Sequence, residues 1–376
     1  MRAFTLCLLA CMAVSAYGIA SYNTATEKIE NRYVVAIKDD IEVGDFADRL
    51  QKALNTRRFK LGKVLKVFRA VKALSLELSD EAVDFVRRFD GIVTVEEDGV
   101  VRAQAVSSWG LDRIDQRDLP LDNTYNSIND GSDVNVYVVD TGIWNTHNDF
   151  GGRGSIFYDA LGGDGVDCNG HGTHCAGTVG GTEYGVAKNT NLFGVRVLSC
   201  LGSGSYSGIV DGMDYIATYG SKPAVVSMSL GGGGSALIDQ AVRTLYRNGF
   251  VVSVAAGNSD DNSCNYSPAR SGYAVTVGAT DINDARAYFS CYGSCVDIWA
   301  PGVDITSTWI RSDSATNTIS GTSMACPHVS GVIALMLQES PNASPASVTS
   351  ALLGNASANK ISDVRALSPN LLLYTN

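Results

Sequence analysis

Three polar residues stand where apolar runs begin or end. Asp140 closes "VNVYVVD" ahead of a tight "TG", His171 lies in "DCNGHGTHCAGTVGG", and Ser323 lies in "SGTSMACPHVSGVIALML". A hydroxyl is a poor nucleophile until a base takes its proton. An imidazole serves as that base when a carboxylate fixes its tautomer and stabilises its charged form. Carboxylate, imidazole and hydroxyl in this chain order is one of the known orders of a nucleophilic triad. The small residues around Ser323 let a substrate and the helix backbone approach closely, and a helix N-terminus there favours developing negative charge.

Other chemistries need partners that the chain does not supply. An aspartic dyad requires a second "DTG" or "DSG", and there is none. His171 and His174 are spaced as a metal pair, but no third ligand follows at a metal-site interval. Cys175 lies four residues after His171 on the same helical face and reads as a small buried thiol rather than the nucleophile. His174 and His328 read as hydrogen-bonded structural residues, and His147 as a surface loop residue.

These side chains act together only if rigid elements aim them at one place. From Trp109 onward, "DVNVYVVDTG", "NLFGVRVLS", "AVVSMSLGG", "FVVSVAAGN" and "YAVTVGATD" are near-continuous apolar strands, the pattern of a parallel sheet buried on both faces. Helical stretches such as "SGIVDGMDYIAT" and "LIDQAVRTLYRNG" separate them. The expectation is an α/β fold with a doubly wound, mostly parallel sheet flanked by helices, its site at the carboxyl ends of the strands. Residues ~30–103 have another rhythm, β-α-β-β-α-β, which predicts a small α+β unit of the split-βαβ, ferredoxin-like kind. That unit holds no cysteine and no histidine, so binding rather than chemistry is expected of it. "GVVRAQAVSS" reads as a linker, and "MRAFTLCLLACMAVSAYG" as a secretory signal. Three spans result: a signal over 1–18, the small unit with its linker over 19–104, and the α/β domain over 105–376.

Composition narrows the function further. Hydrophobic residues make up 45% and charged residues 18%, a globular balance. Residues 105–376 carry 13 Lys+Arg against 24 Asp+Glu, which argues against nucleic-acid binding. No stretch after the signal is long and apolar enough for a membrane helix. Seven cysteines follow the signal, so at least one has no partner within the chain.

"VVDTGI", "GHGTHCAGTV" and "SGTSMACPHVSG" resemble the three catalytic blocks of the subtilisin family. "WGLDRIDQ", "YGVAK", "LFGVRVL", "SMSLGGG", "AAGN", "NYSPA" and "NLLLY" resemble its proteinase K and aqualysin branch, in order, over residues 105–376. The resemblance implies a secreted serine endopeptidase that cuts protein and peptide substrates through an acyl-enzyme. Ser323 would be the nucleophile, His171 the general base and then acid, and Asp140 the orienting carboxylate. Asn258 of "AAGN" and the Ser323 N–H would form the oxyanion hole.

The same resemblance assigns substrate binding to Gly202 and Gly204 on one side and to Ser229, Leu230 and Gly231 on the other. Ala256 and Gly257 would wall the primary pocket. None of these is charged, so hydrophobic or aromatic side chains are the expected preference. Structural Ca²⁺ is the implied cofactor, held by Asp297 with the carbonyls of Gly272 and Ala274, and by Asp112, Asp115, Gln116 and Asp122. Asp159, Asp164 and Asp167 suggest a third grouping on which nothing is built. The implied disulfides are Cys168–Cys200 and Cys264–Cys295, with Cys291 an open alternative to Cys295. Residues 19–104 resemble an inhibitor-type pro-domain that chaperones folding, blocks the cleft with a tail near Val100–Gln104, and is released by self-cleavage near Arg102–Ala105. A monomer is expected. Asn265, Asn342 and Asn355 fall in N-x-S/T sequons. Two rivals stay open: an inactive protein that binds partners through the same cleft, and an inhibitor whose working product is 19–104.

Overall fold

The β-branched runs become strands because each alternates its side chains between two apolar layers. Along β1 (Asn135–Asp140), Val136 and Val138 join one core while Tyr137 and Val139 join another. The computed structural model describes residues 19–25, 28–55, 62–69, 72–99 and 107–376. The signal (1–18), the tail at Val100–Gln104 and the cleavage region at Arg102–Ala105 lie outside the described residues. The chain divides into two compact units, Met1–Ala103 and Gln104–Asn376.

In the second unit β1 is followed by β2 (Gly154–Asp159), α1 (His171–Gly180), β3 (Asn191–Arg196), α2 (Tyr206–Tyr219) and β4 (Ala224–Met228). Then come α3 (Ala236–Arg247), β5 (Val251–Ala255), β6 (Val275–Thr280), β7 (Ile298–Pro301) and the hairpin β8–β9 (Ile305–Thr308, Thr316–Ile319). The chain ends with α4 (Thr322–Glu339), α5 (Pro345–Asn355), β10 (Ser357–Ala358) and β11 (Leu371–Leu372). One nine-stranded sheet runs β10-β11-β7-β6-β5-β4-β1-β3-β2. Every pairing in it is parallel except β10 with β11. Buried residues of α1 and α4 pack with one face, and those of α2 and α3 with the other. The five central strands are those expected from their apolar runs; β2, a partly exposed edge strand, and β7, four residues that end on a proline, carry no such run.

The first unit has two helices, Val43–Asn55 and Asp80–Arg87, and antiparallel strands Lys28–Ile37, Gly62–Phe68, Ala73–Leu78 and Ile92–Gly99. A further strand, Ser21–Asn23, pairs parallel with Ile92–Gly99 at the sheet edge. Three residues are too few to show a period, so the strand is marked by tertiary contact: the Ser21 hydroxyl bonds Thr94 Oγ1 (2.9 Å), and the neighbouring Ala20 is buried with its N–H on the Arg87 carbonyl (2.9 Å).

Candidate active site

Asp140 is the last residue of β1 and fully buried. Its Oδ1 accepts from the Thr141 N–H (2.7 Å) and from His171 Nδ1–H (2.7 Å). His171 is the first residue of α1, entered from Gly170 at φ +111, and its side chain is 25% exposed. With Nδ1 bound to the carboxylate, Nε2 remains for a reacting hydroxyl. Burial pulls the imidazole pKa down, but the Asp140 charge and hydrogen bond outweigh it and hold the pKa well above the usual histidine range.

Ser323 is the second residue of α4, whose cap, Gly321, has no side chain. Pro327 sits one turn later and has no N–H, so the helix leaves the Ser323 carbonyl unclaimed. That carbonyl accepts instead from Ser229 Oγ (2.9 Å) and Cys175 Sγ (3.4 Å). The Ser323 hydroxyl donates to the Ser229 carbonyl (3.1 Å) and makes no hydrogen bond to His171. The two residues are still neighbours, because the Cys175 thiol that touches Ser323 also lies 4.0 Å from His171 Nδ1. Catalytic hydrogen bonds commonly tighten only when substrate binds.

Asn258 is oriented by its oxygen. Oδ1 accepts from the Thr322 N–H and hydroxyl, both 2.9 Å, so the NH₂ faces the other way. A Cβ on Gly321 would lie 3.6 Å from both Asn258 Nδ2 and Ser323 N. Both donors therefore border one small space at the N-terminus of an 18-residue helix.

A groove of about 440 Å³ opens beside them, lined by His171, Gly202, Gly204, Ser229, Leu230 and Gly231 among others. Tyr206 and Ile209 add apolar surface, and none of the lining carries a carboxylate, lysine or arginine. Ala256 and Gly257 do not line this groove: Ala256 is buried with Cys291 and Trp299, and the Gly257 N–H donates to Thr322 Oγ1 (3.2 Å), the residue that also binds Asn258.

Cys168 bonds Cys200 and Cys264 bonds Cys295, while Cys175, Cys291 and Cys326 are free and buried. Each bridge spans 32 or 31 positions. In the chain-entropy model such a loop contributes about 3–4 kcal/mol.

The groups expected to hold calcium differ in setting. Asp112 is buried and caps the Asp122 and Asn123 N–H groups (3.2 and 2.7 Å). Burial, then the charges of Asp112 and Asp122, push Asp115 up to about 6. Gln116 turns its NH₂ to the carbonyls of Asp118 and Pro120 (2.9 Å to the latter), leaving Oε1 as an acceptor. Asp297 accepts from the Thr276 N–H (2.8 Å), and burial pushes it up to about 6. Three neighbouring carboxylates, two of them raised by burial and by the charges of the others, and one half-buried carboxylate beside the Ala274 segment suit an oxygen-seeking dication. Asp167 does not belong with them: five hydrogen bonds already occupy it.

Two histidines sit as expected. His174 pairs with the Ile305 carbonyl (3.0 Å) and His328 with the Met324 carbonyl (2.8 Å), and burial lowers them to about 3 and about 4. His147 is not a surface residue. It is 3% exposed, its Nε2–H donates to the Ala315 carbonyl (2.9 Å), and its Nδ1 accepts from the Asp149 N–H (3.2 Å). Loop position concealed this, because its partner lies on the distant β8–β9 hairpin.

The subtilase family model (peptidase S8) matches residues 131–369. The chain is 48% identical over 372 residues to an extracellular serine proteinase of Thermus sp. (strain Rt41A), covering 93% of this chain and 91% of that protein. It is 52% identical over 302 residues to alkaline serine exoprotease A of Vibrio alginolyticus, covering 79% of this chain and 55% of the relative. The crystal structure of a cold adapted subtilisin-like serine proteinase superposes with a TM-score of 0.70 at 53% identity, over 73% of this chain and 99% of the other.

Proposed function

This chain belongs to the subtilase family of serine proteinases, and from that premise we propose that it is a secreted, self-processing endopeptidase using Ser323, His171 and Asp140. One observation carries the reading: Nδ1 of His171 is bound to Asp140 while the Ser323 and Asn258 donors border one space at a helix N-terminus. Ser323 attacks the scissile carbonyl as His171 takes its proton. The tetrahedral oxyanion is met by the Ser323 N–H and the Asn258 amide. His171 then protonates the leaving amine, and water cleaves the acyl-enzyme by the same route. A serine-directed fluorophosphonate should abolish peptide hydrolysis and label Ser323. Hydrolysis that survives full labelling overturns the assignment to Ser323, and a folded, processed chain that neither hydrolyses peptides nor takes the label revives the non-catalytic binding reading.

Substrate pairs as an added strand with Gly202–Gly204 and Ser229–Gly231. The uncharged groove supports a hydrophobic or aromatic preference. Residues 19–104 act as chaperone and inhibitor. Their place in a separate compact unit, and their lack of cysteine and histidine, support that role. Among the described residues no helix is long and apolar enough to cross a membrane.

Replacing Asn258 by Ala should lower kcat about 10²–10³-fold with little change in KM. That size is the loss measured in subtilisin, another member of the family, for one oxyanion donor. Steady-state kinetics on a peptide anilide checks it, and an unchanged kcat removes Asn258 from the site.

Calcium would be held by Asp297 and by Asp112, Asp115 and Asp122, where it supplies structural cross-linking. Without a cation, Asp115 and Asp297 have pKa values above the unfolded value. Their contribution to stability is then fully present at low pH and lost as pH rises through about 6. Chelated protein should therefore lose Tm between pH 4 and pH 7, and added Ca²⁺ should restore it mainly at the upper end. A Tm difference that does not depend on pH would count against these carboxylates as ligands.

A further inference from the structure

Asp167 is fully buried, and it lies on the segment that leads into the helix carrying His171. Its Oδ1 accepts from Thr141 Oγ1, the Asn169 N–H and the Gly170 N–H, each at 2.9 Å. Its Oδ2 accepts from the Thr173 N–H (2.9 Å) and the Thr173 hydroxyl (2.6 Å). Thr141 closes the circuit. Its Oγ1 accepts from the Gly172 N–H (2.9 Å), and its own N–H donates to Asp140 Oδ1 (2.7 Å). The helix start is pressed onto this loop, since a Cβ on Gly172 would lie 2.1 Å from the Gly142 carbonyl.

Two physical needs explain the arrangement. The cap of α1 is a glycine, with no side chain to accept a first-turn N–H. His171 also stands at the positive end of that helix, where a protonated ring is disfavoured. Yet the ring must become protonated when Ser323 attacks. A carboxylate bound to the first-turn N–H groups meets both needs.

We propose that Asp167 is a positioning residue for the peptidase reaction: it locks the start of α1 onto the Asp140 loop, and its charge offsets the helix end so that the His171 imidazolium can form. This rests on His171 being the general base. Other titratable groups facing the ring are Asp140 on β1 and Cys175 and His174 on α1, and behind these lie Cys326 and His328 on α4. None of these changes in the test variants.

The test expresses the full chain as wild type, D167N, T141V and S323A, and measures kcat, KM and the pH profile of kcat/KM. D167N should lower kcat about 10–100-fold with KM nearly constant. Its acid limb should move down by about half to one pH unit, because removing a negative charge makes the ring easier to deprotonate. T141V keeps the charge but breaks the Asp167–Thr141–Gly172 bridge, so kcat should fall while the limb stays. An unmoved limb in D167N, or a loss carried by KM, overturns the proposal. If D167N does not accumulate as folded protein, T141V decides, and an unchanged kcat there overturns it. S323A separates the two readings: residual activity in it sinks the triad, whereas a dead S323A beside a normal D167N sinks only the role of Asp167.

Discussion

Ser323→Ala should leave a chain that neither hydrolyses peptides nor cuts itself. In the proposed mechanism this hydroxyl forms the acyl bond, and Cys175 is ill suited to replace it. That thiol is fully buried, and burial raises its pKa, so its reactive thiolate is disfavoured. The expected loss in kcat is about a millionfold, the size measured for removing the nucleophile of subtilisin itself rather than one obtained from this geometry. Stability should hardly change, because the hydroxyl makes a single hydrogen bond, to the Ser229 carbonyl. The readout is the band pattern of the variant purified from a protease-deficient host. A single species retaining residues 19–104 is expected. Conversion to a 105–376 product would show that processing is done in trans, and measurable peptide hydrolysis would remove Ser323 from the mechanism.

Asp140→Asn should cost about 10⁴ in kcat, with KM little changed. An amide in place of Asp140 presents NH₂ or a neutral oxygen to Nδ1, so the ring loses its fixed tautomer and its counter-charge together. The second loss has a visible sign. His171 is held well above the usual histidine range chiefly by Asp140 acting against burial. In the wild type, kcat/KM should therefore rise with pH along a limb above that range. In the variant the limb should move to lower pH, because the largest charge opposing the burial that favours the neutral ring is gone. A variant with reduced rate but an unmoved limb would mean that some other charge sets the histidine.

Much of the architecture follows from short-range pattern. The five central strands were readable because a doubly covered parallel strand must be apolar at consecutive positions, as in "VVSVA" of β5. β2 and β7 were not, since an edge strand and a four-residue strand give too few positions for a period. The proposed triad was legible because each member sits where a strand or helix begins or ends, in a block of small residues whose order can be compared with a family.

Linear order also determined the residue types: which carboxylate, imidazole and hydroxyl were available, and that seven cysteines could not all pair. Only tertiary contact decided the rest. It turned Asn258 by giving its oxygen to Thr322, bound the Ser323 carbonyl to the Ser229 hydroxyl and the Cys175 thiol, and buried His147 against a hairpin remote in sequence. It also gave Asp167 five hydrogen bonds at the head of α1. A polar group's role depends on which donors reach it across space, and hydrogen bonds are set by angles and ångströms that spacing along a chain does not encode.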